Sequence, residues 1–247
     1  FADHPRQFDA WNIDPDYEQH RTDLNQAEAV KLIERGPVRA VIRVKKKYQS
    51  STFVQDICLS AGVPRVDVNM QADWHEKHVL LKVAFPVSVR SDHATYEIPY
   101  GTIQRPTTRN TPAEQAKFEV PALRWGDLSD ASHGFSLLNA SKYGYDCHGN
   151  VLRLTLLRSP TSPDPHADEG FHEFTYALYP HAGGWQAGQS MRRAYELNFP
   201  MIPVTAFAHH GTLPARSSFA RIGPGNVILT VIKKAEDDDA LIFRYYE

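Results

Sequence analysis

The 247-residue chain contains only two cysteines, Cys58 and Cys147. So few exclude a disulfide framework. Two free, buried thiols fit a reducing compartment, so a cytoplasmic setting is the expectation. No excess of either charge is present, and the formal net charge is −2. That excludes the broad basic field that nucleic acid selects. The basic run Lys45-Lys46-Lys47 reads as a solvated strand end. No apolar run approaches the roughly 20 residues needed to span a bilayer, and no membrane partner is expected. Several catalytic signatures are missing as well. There is no GxSxG nucleophile elbow. No glycine loop leads into a helix to cradle phosphate, because Gly223-Pro224-Gly225 stands before a strand. Glycoside hydrolysis needs two carboxyl groups facing each other across roughly 5–10 Å, and no distinctive pair stands out. No internal repeat or low-complexity linker divides the chain.

What is present is ordinary globular composition, 42% hydrophobic and 23% charged, arranged with a period of two. Val38, Ala40, Ile42 and Val44 alternate with Arg39, Arg43 and Lys45. Thr52 to Leu59 follows a Gln49-Ser50-Ser51 turn. Val66, Val68 and Met70 alternate with Asp67 and Asn69, and Val79, Leu81, Val83 and Phe85 with Leu80, Lys82 and Ala84. Four strands so closely spaced predict an antiparallel meander with one buried face. Further strands are expected at Phe174 to Leu178, Ser217 to Arg221, Val227 to Ile232 and Leu241 to Tyr246. Helix-forming composition predicts a short connecting helix over Asn25 to Arg35, stopped by Gly36-Pro37. A second helix is expected over Gly184 to Leu197, with Trp185, Gly188, Met191 and Tyr195 on one stripe. Thr111-Pro112-Ala113-Glu114 has capping-box spacing for one helical turn. Residues 1–36 thus read as an opening segment with a connecting helix, in which Phe8, Trp11 and Ile13 pin the chain to a larger surface. Residues 37–247 read as one large β domain. It starts without Met and stops in mid-strand pattern, so a piece of a longer polypeptide is expected.

The densest stretch is Phe135 to Pro160. An apolar run ends at Leu138 and a polar break, Asn139 to Lys142, follows. Tyr143-Gly144-Tyr145 comes next, and His148-Gly149-Asn150 forms a hairpin loop. From Val151 the strand resumes with Leu152, Leu154 and Leu156 on one face and Arg153 and Thr155 on the other. Polar and aromatic groups held on a bend above a rigid sheet suit sugar recognition, and an ordered turn explains them equally well.

Other clusters carry less. His166, Asp168, Glu169, His172 and Glu173 lie within eight residues, yet their spacing matches no metal motif with a defined backbone geometry. His209-His210-Gly211 reads as an exposed loop. Asp237-Asp238-Asp239 reads as a solvated hairpin tip. Asn139-Ala140-Ser141 fits a glycosylation sequon, a pattern common by chance.

Six segments in order resemble the C-terminal portion of α-mannosidases of glycoside hydrolase family 38. They are FADHPRQFDAWNID (Phe1 to Asp14), YEIPYGTIQRPTTRNTP (Tyr96 to Pro112), FEVPALRWGDLSD (Phe118 to Asp130) and GFSLLNASKYGYDCHGNVLRLTLLRSPTSPDP (Gly134 to Pro165). DEGFHEFTYALYPH (Asp168 to His181) and VILTVIKKAEDDDALIFRYYE (Val227 to Glu247) complete the set. The resemblance implies a mainly β fold, an antiparallel β-supersandwich of the galactose-mutarotase-like type with one or two short helices. It implies a retaining α-mannosidase whose Asp nucleophile and zinc site lie on an N-terminal catalytic domain of the same polypeptide. No residue here matches the nucleophile or zinc-ligand motifs, so no catalytic residue and no cofactor is expected in this chain. His172 then reads as a structural residue. The partners implied are that catalytic domain and a mannose-containing oligosaccharide. Asn139, Lys142 and Tyr143 are the expected substrate-binding residues, with Trp125 and Asp127 as weaker candidates. A stand-alone carbohydrate-binding or structural β-sandwich module is the alternative.

Overall fold

In a computed structural model describing residues 1–247, antiparallel strands form two packed sheets and a separate hairpin. The strands in chain order are β1 (Ala29–Arg35), β2 (Arg39–Tyr48), β3 (Ser51–Ser60), β4 (Val66–Trp74), β5 (Leu80–Pro86), β6 (His93–Ile98) and β7 (Gly101–Pro106). There follow β8 (Val120–Pro121), β9 (Trp125–Ser129), β10 (His133–Asn139), β11 (Gly144–His148), β12 (Val151–Arg158) and β13 (Gly170–Ala182). The last pair is β14 (Ile228–Lys234) and β15 (Leu241–Tyr246). The two helices are α1 (Pro112–Gln115) and α2 (Ser190–Asn198), and a 3-10 turn spans Tyr17–His20. No helix is long and apolar enough to cross a membrane.

The large sheet has nine strands in the order β1-β2-β3-β4-β13-β10-β9-β6-β7, and the small one four, β5-β12-β11-β8. The main core lies between them. It includes Trp74 and Leu137 from the large sheet with Tyr145, Leu152 and Leu154 from the small one. Burying apolar faces at about 25 cal/mol per Å² is what holds the layers together.

The expected meander is real through β2, β3 and β4. The fourth strand departs from it. β5 crosses to the small sheet and pairs with β12, Val83 opposite Leu154. Its alternation accounts for this: Leu81, Val83 and Phe85 pack on the core, while Lys82 points the other way. In β2 the buried residue is Val41 and Ile42 is exposed, as is Val38 just before the strand, the reverse of the face expected from Val38, Ala40, Ile42 and Val44. The connecting helix expected over Asn25 to Arg35 is absent. Ala29–Arg35 is strand β1, paired with β2. Helix propensity differs by only a few tenths of a kcal/mol per residue, less than the pairing that β2 offers. Ser217 to Arg221 is irregular rather than a strand, and the second helix starts later than expected, at Ser190. The capped turn at Thr111 forms, its side chain accepting from the Glu114 amide. Of the three opening-segment anchors, only Ile13 is buried; Phe8 and Trp11 are exposed.

Candidate functional site

The bend between Asn139 and Gly144 is where the chain leaves the large sheet at β10 and enters the small one at β11. Such a crossing leaves backbone groups unpaired unless side chains take them. Asn139 does this. Its amide nitrogen donates to the Leu123 carbonyl at 2.9 Å and to the Tyr145 hydroxyl at 2.5 Å. Its amide oxygen accepts from the Lys142 backbone N–H at 2.7 Å. Tyr145 donates onward to the Leu137 carbonyl. Asn198 of α2 donates to the Asn139 carbonyl. The Asn139 side chain is thus buried and fully engaged, and shapes the bend from beneath.

Lys142 and Tyr143 project from that frame. Tyr143 is 60% exposed. Lys142 is half-buried, its ammonium 4.2 Å from the centre of the Phe174 ring. Burial lowers its pKa, against a smaller opposing pull from Asp168. Its ammonium has no hydrogen-bond acceptor in the chain, so its donors are free for a hydroxyl-bearing ligand. Beside the bend a hollow of about 280 Å³ is lined by Ala140, Thr175, Asn69, Arg65 and Glu196. Trp125 and Asp127, the weaker candidates, are both buried beneath the surface.

Asp127 belongs to a cluster that sequence spacing does not reveal. His181 Nε2 lies 2.8 Å from Asp127 Oδ2, and Ser136 Oγ donates to the same oxygen at 2.6 Å. Ser190 Oγ is 2.6 Å from Ser136 Oγ. These residues come from β9, β10, β13 and α2. The composition matches a nucleophilic triad, but the geometry does not. The serine hydroxyl is spent on the carboxylate, and both serines are sealed from solvent. Burial would lower the His181 pKa, yet the hydrogen bond and charge of Asp127 outweigh it and raise it. The ring is also clamped. A Cβ at Gly134 or Gly188 would come within 2.4 or 2.5 Å of it. This is a structural joint that ties α2 to the large sheet.

A second charged cluster covers the outer face of the small sheet. Lys82 Nζ donates to Glu119 at 2.5 Å and to Asp146 at 2.7 Å. Asp146 also accepts from Arg153 Nε at 2.5 Å. Arg153 reaches Glu18, which in turn accepts from Arg109 at 2.7 Å. Glu119 and Asp146 form the kind of close carboxylate pair that glycosidases use. Here an ammonium bridges them, and Tyr17 lies over it, the nitrogen 5.6 Å from the ring centre. The side chains of Lys82 and Asp146 are each 1% exposed. Burial opposes the Lys82 charge, but Asp146 and Glu119 outweigh it and raise its pKa. Asp146 is buried and Glu119 only 21% exposed, and the ammonium between them occupies both carboxylates.

The five-residue His/Asp/Glu group does not converge. His166 pairs with Glu169 at 2.7 Å, His172 Nε2 meets the Asp168 carbonyl, and Glu173 accepts from Gln71. No three His, Cys, Asp or Glu side chains come together as metal ligands anywhere in the chain. The zinc that the resemblance implies finds no donor set here. Both cysteines are free.

The family model for the glycosyl hydrolases family 38 C-terminal domain matches residues 1–166. Alpha-mannosidase 2C1 of Mus musculus is 41% identical over all of this chain and 24% of its own length. Alpha-mannosidase of Saccharomyces cerevisiae is 41% identical over 79% of this chain and 18% of its own length. The chain therefore spans about a quarter or less of these relatives. An alpha-mannosidase structure from Enterococcus faecalis superposes with a TM-score of 0.77 over 88% of this chain and 29% of that one, at 16% identity. That likeness speaks for the fold.

Proposed function

The chain belongs to glycosyl hydrolases family 38, as its C-terminal β domain, and from this premise we propose that it is part of a longer α-mannosidase. In that protein it supplies scaffold and one wall of the sugar pocket. The nucleophile and a zinc site belong to an N-terminal catalytic domain of the same polypeptide, which hydrolyses α-mannosides with retention of configuration. The reading includes a cytoplasmic setting, and the isolated chain is inert. The observation that carries it is the chemistry of the accessible groups. The close carboxylates Glu119 and Asp146 are bridged by Lys82, and Asp146 is buried, whereas the open bend offers an ammonium without a hydrogen-bond acceptor, Lys142, and an exposed phenol, Tyr143. Lys142 donates to sugar hydroxyls, Tyr143 supplies a stacking face with a hydroxyl, and Asn139 sets their spacing.

An assay on an aryl α-mannoside tests this directly. The isolated chain with added zinc gives no turnover above a denatured control; clear turnover would overturn the assignment of the chemistry to another domain. In the full-length parent, Lys142→Ala lowers kcat/KM by about tenfold, which is about 1.4 kcal/mol of transition-state binding. Unchanged kinetics would remove Lys142 from the pocket. Saturable binding of mannose by the isolated chain in a calorimeter would instead favour a stand-alone binding module.

A further inference from the structure

β5 is the edge strand of the small sheet, and its outer edge is only partly paired. Phe1 and Leu80 exchange both backbone hydrogen bonds, the Phe1 amino group donating to Leu80 at 3.1 Å and Leu80 N–H donating to Phe1 at 2.9 Å. Ala2 pairs antiparallel with Val79, and Asp3 N–H donates to the His78 carbonyl. Strand groups alternate in direction. Leu80 faces this edge, so the N–H and C=O groups of Lys82 and Ala84 face it too, and no strand lies beyond them.

Those groups open onto a cavity of about 670 Å³ whose lining includes Leu81 to Pro86. Arg21 to Asn25 and the large-sheet residues Phe53, Met70 and Tyr176 also line it. This slot continues one that is already filled further along. Ala2 N–H donates to the His20 carbonyl at 3.1 Å, so Phe1 and Ala2 lie between His20 and β5 as a strand between two neighbours. Phe1 itself lines the remaining slot.

We propose that the polypeptide immediately preceding Phe1 in the full-length protein runs antiparallel along β5, as a fifth strand of the small sheet that fills this cavity. The inference rests on the reading that residues 1–247 are part of a longer chain, as their share of the relatives' length suggests. The register follows from the Phe1–Leu80 pair. The residue two before Phe1 pairs with Lys82, and the residue four before it pairs with Ala84. Residues directly opposite each other share a face. The first, third and fifth residues before Phe1 therefore point with Leu81, Val83 and Phe85 into the core and are apolar. The second faces the Lys82 side. The strand that closes the sandwich is thus also the covalent link to whatever precedes this domain, so the two cannot shift independently along β5.

The test is hydrogen exchange on the full-length protein. Lys82 and Ala84 amides are protected, and proline placed two residues before Phe1 speeds their exchange about 100-fold while β3 amides stay unchanged. If that variant fails to fold, a cysteine cross-link reads the same register. Ala84→Cys combined with cysteine four residues before Phe1 oxidises to a bridge, and cysteine three residues before does not. Fast exchange at both amides in the unmodified protein, or equal bridging by the two cysteine positions, overturns the strand. A native polypeptide with the mass of these 247 residues alone overturns both the strand and the longer-chain reading, which separates the two failures.

Discussion

The outer face of the small sheet and the bend next to it carry similar chemistry and stand in opposite circumstances. The face holds Lys82, Asp146, Arg153, Glu119 and Glu18, in a closed chain of ion pairs roofed by Tyr17. The bend holds one ammonium without an acceptor and one exposed phenol. By residue type alone the first is the better catalytic centre. It contains two close carboxylates and cations to tune them. Yet every charge there is spent on a neighbour, and Lys82, Asp146 and Arg153 at its centre are buried while Glu119 and Glu18 at its rim keep partial exposure. The difference teaches that accessibility and unspent valence, rather than the density of reactive groups, mark a binding surface. A buried ion-pair network instead fixes how two pieces of chain sit together.

Four changes test that contrast. The largest effect comes from Asp146→Ala. It leaves Lys82 and Arg153 buried without the carboxylate that both share, a loss of about 3–5 kcal/mol in urea unfolding at neutral pH. A loss below about 1 kcal/mol would show the face to be wet and erase the distinction.

Asn139→Ala comes next. It strands the Leu123 carbonyl and the Lys142 N–H at the crossover and costs about 2–3 kcal/mol in the same measurement. Retention of full stability would mean that the bend holds without its clamp.

Acid should act on the closed face and spare the bend. Burial alone would raise the Glu18 pKa, but hydrogen bonds and charges from Arg109 and Arg153 outweigh it and hold it at about 2, below the ordinary 4.5. The folded value is depressed, so its contribution is complete above pH 4.5 and fades as pH falls toward 2. Glu18 is partly exposed, so screening reduces the contribution to about 1–2 kcal/mol. Glu18→Gln flattens this part of the stability profile; a profile identical to that of the unmodified chain would remove Glu18 from the network's acid response.

The smallest stability effect is that of Lys142→Ala, about 0.5–1 kcal/mol, because its ammonium has no hydrogen-bond acceptor and loses only the Phe174 ring beside it. Combined with the tenfold kinetic loss expected in the parent, this separates a binding residue from a structural one. A stability loss above about 2 kcal/mol would move Lys142 to the structural side.

Much of the architecture was legible. Alternation in β4, β5 and β12 told which faces meet the core, because a strand's period of two is local. The hairpin at His148-Gly149-Asn150 was legible because Gly149 supplies the positive φ that the turn requires. β1 was not, since Ala27 to Glu34 favours helix and only the waiting edge of β2 made it a strand. The passage of β5 to the second sheet was equally invisible, because pairing partners lie up to 78 residues away, as Leu80 does from Arg158. At the bend, sequence pointed to Asn139, Lys142 and Tyr143 together. Folding divided them, one turned inward as a clamp and two outward.

The sequence by itself therefore determined the family, the mainly β class and the location of the bend, because composition, periodicity and motif order are properties of neighbouring residues. Only the tertiary structure decided which polar groups are spent and which are free. It set Lys82 between two carboxylates, Asp127 against His181, and Leu80 against Phe1 with Lys82 and Ala84 left open beyond. Those outcomes depend on contacts between residues tens of positions apart, and on whether water reaches them.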